Sequence, residues 1–339
     1  MSIEIEIFAD EIICPIDFNN NTRNILGICC FFIPVNTKQE IVNQLLRKRC
    51  INSDNLKWNY EFDACLNKTN CKESWHKSND CEIHNQNIRS SRASNSLKTI
   101  SKKWIKYFIE KNRAEKSIRF NILFIELDKM DISKFGESKI HENMYNKFFR
   151  TVINYGVKSF FNNSKVLVKN VYHDKGSMEK HAYFPYLNLY KLNDEIPEVA
   201  IFENKDIIFV DSNHKNYVPH KKEYYSESHL IQFVDLILGN ISQCLFNLSN
   251  DNLKKENATL LHPLVERLIN KSRDYYSSWH YTDRQNISLF PKSEGNNFKN
   301  KCFDLNGNLV DDFIKEFHKD KTLKMPFYNP EQESLSKFF

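Results

Sequence analysis

Residues 24–35, NILGICCFFIPV, form an almost unbroken apolar run that is too short to span a membrane. A sheet strand covered on both faces has this pattern. Such a sheet needs helices on its two sides, and the rest of the chain alternates accordingly. Residues 3–13 (IEIEIFADEII) alternate like a strand, with Asp10 and Glu11 near its end. Further strands are read at 119–127, 165–172 and 206–212. Helical spacing runs over 96–116, where Leu97, Ile100, Trp104, Tyr107 and Phe108 share a face, and over 139–161, with Tyr145, Phe148, Phe149 and Val152 in register. Residues 228–248 predict a long apolar helix, and 183–193 a shorter one with Pro185 in its first turn. Thr37, followed three residues later by Glu40, has the capping-box pattern and predicts a helix over Lys38 to Arg49. The fold class that follows is α/β, a mixed or parallel sheet flanked by helices.

A length of 339 residues suits one large domain with additions. Residues 1–250 read as that domain. Within it, 51–95 is rich in Asn, Lys, Ser and Cys and reads as an insertion or a mobile loop. Residues 251–339 read as a C-terminal extension, helical over Leu260 to Trp279 and Val310 to His318 and irregular elsewhere.

Composition removes several function classes. With only 7 glycines and no GxGxxG or GxxxxGK[ST], the chain lacks a glycine-rich phosphate loop. The net charge of +5, from 48 basic and 43 acidic side chains, permits an anionic partner without requiring one. Residues 1–8 have no basic leader pattern and no apolar run reaches membrane length, which points to a cytoplasmic protein. Nine cysteines, an odd number, fit free thiols or a metal site better than a disulfide framework.

Four aspartates stand where chemistry would be built. Asp10 interrupts a strand, where Asp is disfavoured. Glu11 must point to the opposite face. Asp235 lies on a narrow polar stripe of an otherwise apolar helix, with Gln232, Gly239 and Ser242, and must be paired, hydrogen-bonded or metal-bound. Asp174 and Asp211 each end a strand, and each also fits an ordinary turn. Clustered carboxylates are what a Mg²⁺- or Mn²⁺-dependent phosphodiester hydrolase uses, with a one- or two-metal site. Asp10, Asp174 and Asp235 are the expected ligands, with Asp211 a further catalytic candidate.

In order along the chain, five segments carry a resemblance: FADEI at 8–12, Leu56-Lys57-Trp58, FIELDKMD at 124–131, VDS at 210–212 and QFVDLILG at 232–239. Together they resemble the prokaryotic domain-of-unknown-function family 3800. ISLFPK at 287–292 resembles a tail seen in some members. The resemblance implies a ribonuclease H-like fold, suspected nuclease activity, and a prokaryotic setting such as defence. By position, it places that activity on Asp10, Asp174, Asp235 and Asp211. Asn55 stands where many members carry Glu before Leu-Lys-Trp, and Ile12-Ile13 where Ser or Thr and then Gly are usual.

Two further features invite ligands. Cys65, Cys71, His76, Cys81 and His84 could supply a structural zinc site, although their spacing matches no standard finger and a polar loop with free thiols fits equally. Lys98, Lys102, Lys103 and Lys106 form a basic strip on a helix, suited either to a phosphate backbone or simply to solvent. The sequence thus supports a metal-dependent nuclease acting on nucleic acid. Its alternative is a catalytically weakened ribonuclease H-like module that binds a protein partner or a second copy of itself.

Overall fold

The computed structural model describes residues 2–18, 21–49, 81–114, 118–161, 164–175, 192, 196–217, 223–269, 284–290, 302–303 and 309–310. The alternation at the start of the chain becomes a long hairpin. β1 (Ile3–Phe18) pairs antiparallel with β2 (Asn21–Pro34) from Ile5↔Pro34 to Phe18↔Asn21. β3 (Arg119–Glu126) adds antiparallel to β2. On the other side of β1, β4 (Val166–Asp174) runs parallel, with a register shift between Ile5 and Glu6. β5 (Ala200–Phe202) and β6 (Ile207–Val210) both pair parallel with β4, one beside its start and one beside its end. β7 (Gln285–Phe290) runs parallel to β3 at the opposite edge. The result is a seven-stranded mixed sheet of order β5-β4-β1-β2-β3-β7, with β6 also on β4. β8 (Cys302–Phe303) and β9 (Leu309–Val310) form a separate antiparallel pair.

Helices cover both faces, as the apolar run at 24–35 requires. α1 (Val35–Lys48), α2 (Asn95–Ala114), α4 (Tyr225–Phe246) and α5 (Asn252–Ile269) lie on one face, and α3 (Ile140–Phe160) on the other. β2 feeds both cores by simple alternation. Ile25, Cys29, Phe31 and Ile33 join the four-helix side, while Leu26, Ile28, Cys30 and Phe32 join the α3 side. Phe108 of α2 and Phe233 of α4 pack against Phe31, with Phe31 and Phe233 edge to face at 5.8 Å, and Trp104 of α2 packs edge to face on Phe233. Across the sheet, Gly156 of α3 lets the Phe32 ring approach closely; a Cβ there would lie 2.1 Å from it.

Several expectations shift. α1 starts at Val35, directly from the strand, with Pro34 at its N-cap and no side-chain cap. Thr37 sits inside the first turn and its hydroxyl donates to the Pro34 carbonyl, so the Thr37–Glu40 capping box does not form. The end of the 51–95 segment is ordered against the core: Asn85–Asn87 is a short 3-10 helix and α2 begins at Asn95. α5 starts at Asn252 rather than 260 and carries Pro263 inside it. Both α5 and β7 lie past residue 250, yet α5 belongs to the four-helix core and β7 to the main sheet. Val310 is in β9, while 311–318 and most of 183–193 lie outside the described residues. α4 is in fact long and apolar enough to cross a membrane, but 94% of its most apolar stretch is buried inside the fold. The sequence reading missed this because Gln232, Asp235, Asn240 and Gln243 interrupt the run without making it polar overall.

Candidate active site

Strand alternation decides which acids meet. On β1, Ile5, Ile7 and Ala9 face α3 while Phe8 faces α4, so Asp10 faces α4 and Glu11 faces α3. On β4, Val171 faces α3 and Tyr172 faces α4, with the Phe8 and Tyr172 rings stacked at 5.0 Å. His173 therefore turns toward α3 and Asp174 toward α4. The strands are parallel neighbours in the register Ala9↔His173, which puts Asp10 beside Asp174. Asp174 ends β4, but Asp10 lies midway along β1, which runs on to Phe18 rather than stopping near the Asp-Glu pair. Asp235, in the middle of α4, lies near enough for its charge to act on Asp10.

Electrostatics register this convergence at Asp10. Asp10 is 6% exposed and its Oδ1 accepts the Glu11 N–H at 2.9 Å. Burial pushes its pKa well above the ordinary carboxylate value, and the charges of Asp174, Asp235 and Glu11 push it further. Asp235 is also raised by burial, against the lowering influence of His84, the Asn85 N–H and Lys254, with Glu82 adding to the rise.

Asp235 is positioned by a strip of chain that runs along α4. Arg49 donates to the Cys81 carbonyl at 2.6 Å and to Gln232 Oε1 at 2.8 Å. The Ile83 N–H reaches Gln232 Oε1 at 2.9 Å, and the Asn85 N–H reaches Asp235 Oδ2 at 2.6 Å. His84 Nδ1 is 3.6 Å from the same carboxylate and accepts the Gln86 N–H at 3.2 Å. A turn further on, the Asn85 side chain fills the space above Gly239. Sequence reasoning found Asp235 and Gly239 but missed Glu82, Asn85 and Lys254, which lie in polar stretches without periodicity.

On the α3 face, the residues after Asp10 and before Asp174 are tied together. Glu11 Oε2 lies 3.0 Å from His173 Nε2, Tyr145 Oη bonds to both, and His173 Nδ1 lies 2.8 Å from the Asp174 carbonyl. This buried cluster ties the middle of β1 to the end of β4 beneath the acids.

Asp211 is held in a turn after β6. Its oxygens accept the Asn213 N–H at 2.8 Å and the Asn216 side chain at 2.6 Å, and its own N–H donates to Tyr217 Oη at 2.7 Å. The turn chemistry that a strand-final Asp-Ser-Asn favours accounts for it. Of the zinc candidates, Cys65, Cys71 and His76 lie outside the described residues. Cys81 is a free thiol, and His84 faces Asp235. In the lysine strip, Lys102 pairs with Glu256 and Lys98 donates to the Ser90 carbonyl, Lys103 is half-buried and Lys106 exposed.

The donors around Asp10 are carboxylate oxygens, the chemistry that suits a hard divalent cation. Among the described residues no three His, Cys, Asp or Glu side chains close into a ready-made cage, so the fit is one of donor type and charge. Comparison with protein-family models, with curated proteins and with solved structures returned no match.

Proposed function

We propose that this chain is a divalent-metal-dependent hydrolase of phosphodiesters in nucleic acid, built on a ribonuclease H-like sheet. The observation that carries the reading is the buried Asp10 of β1 beside Asp174 of the parallel β4, with Asp235 of α4 near enough that both make its ionisation harder. Buried carboxylates that repel one another are costly unless a cation is shared among them. The strand order supports the architecture, with three antiparallel strands continued on the β1 side by parallel ones.

Asp10, Asp174 and Asp235 would hold the ion. Mg²⁺ or Mn²⁺ bound there would make water a stronger nucleophile and stabilise the leaving oxygen. The chain's own work is positioning. The Asn85 N–H orients Asp235, and the Glu11–His173–Tyr145 cluster keeps Asp10 and Asp174 side by side. The resemblance to family 3800 points the same way.

A binding module is the second reading. Its support is that Asp235 already accepts a backbone N–H and faces His84, as a purely structural carboxylate would.

The test is cleavage of labelled single- and double-stranded DNA and RNA with Mg²⁺ or Mn²⁺, with melting temperature recorded alongside. Wild type is expected to cut, and Asp10→Asn and Asp235→Ala to lose at least about 100-fold of that activity, the order of one lost charge-stabilising group. Mn²⁺ should raise the wild-type melting temperature and leave Asp10→Asn unmoved. A folded wild type with neither cleavage nor a metal-dependent shift would leave the binding module standing.

A further inference from the structure

One cationic group sits directly against the acidic site without belonging to it. Lys254 lies in the first turn of α5, and Asp251 places it there. Asp251 Oδ1 accepts the Leu253 and Lys254 N–H groups at 3.0 and 3.2 Å, while Oδ2 accepts the Ser90 N–H at 2.8 Å. That double grip joins the start of α5 to the Arg89–Ser90 turn and brings Lys254 and Arg89 close enough to repel. Lys254 Nζ donates to the Asn85 carbonyl at 3.0 Å, and Asn85 is the residue whose N–H binds Asp235. A single residue thus separates the ammonium from a candidate metal ligand.

Lys254 is half-buried. Burial and Arg89 both oppose its charge, and the nearby Asp235 and Asp251 only partly compensate. Among the described residues no carboxylate forms an ion pair with it, and its one hydrogen bond is to a neutral carbonyl. An ammonium has three protons to donate, so two remain for an incoming acceptor. Carboxylates can meet a phosphate only through a cation, whereas Lys and Arg bind it directly. A strand crossing the site would lay one phosphate over the acids and the next against the cations.

We propose that Lys254, with Arg89 beside it, forms the subsite that seats the backbone phosphate adjacent to the one being cleaved in a nucleic-acid strand. The assignment rests on the nuclease reading of the acidic site, but it can be tested without cleavage.

The experiment is binding of labelled single-stranded RNA and DNA oligonucleotides to the full chain over a salt series, followed by fluorescence anisotropy in EDTA and again with Mg²⁺. Lys254→Met keeps the stem and removes the charge. It is expected to weaken binding about tenfold and to reduce the slope of log K against log salt by about one unit, because one fewer phosphate is neutralised. Lys254→Arg is expected to restore most of both, and melting curves confirm that each variant folds. Unchanged affinity and slope in Lys254→Met would overturn the subsite. So would inorganic phosphate binding as tightly as the oligonucleotide in a Lys254-dependent way, which would identify a free-phosphate pocket. A chain that binds strands through Lys254 but never cuts them ends the nuclease reading and leaves Lys254 as a backbone-phosphate contact without a scissile neighbour. Cutting with no dependence on Lys254 does the reverse.

Discussion

Gly239 shows how tightly the candidate site is built. A Cβ at this position would lie 2.0 Å from the Asn85 side-chain nitrogen, and Asn85 is buried, so Ala has nowhere to go. Gly239→Ala is expected to push the Cys81–Ile88 strip off α4 and cost about 1–3 kcal/mol, as overpacking does. Thermal melting reads the cost directly. A second residue-scale outcome concerns His229. Burial, then Arg49 and His214, hold its pKa well below 6.5. The unfolded chain therefore takes up this proton more readily than the folded one. The stability His229 contributes is complete above about pH 6.5 and is lost as pH falls toward its depressed folded value. The drop in melting temperature between pH 7.5 and 5.5 should be smaller in His229→Gln than in wild type; an equal drop would show that other groups dominate. At this scale the sequence was only partly legible. Asp10 and Asp235 announced themselves because each breaks a regular apolar pattern. Asp211 did not separate from Asp174, since both end strands and only the fold shows one turned into a loop. Glu82, Asn85 and Lys254 gave no signal, because a polar residue in a polar stretch violates no pattern.

Between elements, a buried charge bridge sets how α4 sits on the sheet. Lys38 of α1 reaches Glu6 of β1 at 2.6 Å and Glu227 of α4 at 2.5 Å, with its ammonium near the Phe8 and Tyr172 rings. Glu6 also accepts from Asn170 and Tyr172 of β4. One lysine thus ties together four elements, three of which carry the candidate acids. Burial alone would lower the Lys38 pKa, but Glu227 and Glu6 outweigh it and raise it. Lys38→Met leaves two nearly buried carboxylates without their cation, so a loss of about 3–5 kcal/mol is expected in urea or thermal unfolding. Adding Glu227→Gln should recover part of it. If the single variant melts like wild type, the bridge is ornamental. The elements themselves were legible where periodicity was strong, as in α2, where Leu97, Ile100, Trp104, Tyr107 and Phe108 are all buried as their spacing predicts. The start of α1 was not, because the chain passes from strand to helix at Pro34 without a loop and Thr37 only resembled a cap.

At the scale of the whole molecule, the decisive question is what residues beyond 250 do. Composition turns polar there and periodicity weakens, which is why that stretch read as an extension. The structure gives two of its segments central positions. α5 contributes Leu253, Leu261, Leu264, Val265 and Leu268 to the four-helix core, all buried against α4 and α2. β7 covers the β3 edge from Phe120↔Gln285 to Ile125↔Phe290, and Asn286 there bonds to the buried Asn121 at 2.8 Å. Removing both would bare one side of α4, the most apolar helix, and open a strand edge that invites pairing with other chains. A chain ending at Asn250 would also lack Lys254 and the hydrogen bonds from Ser90 to Asp251. Five buried aliphatic side chains are worth roughly 1.5–3 kcal/mol each. Their sum rivals the whole stability of an ordinary domain, about 5–15 kcal/mol. Residues 1–250 expressed alone are therefore expected to aggregate or to lack a cooperative melting transition, as seen by sedimentation and near-UV circular dichroism. A 1–250 chain that is monomeric and melts cooperatively would show that the core closes without α5 and β7, and would return the later residues to the role of an appendage.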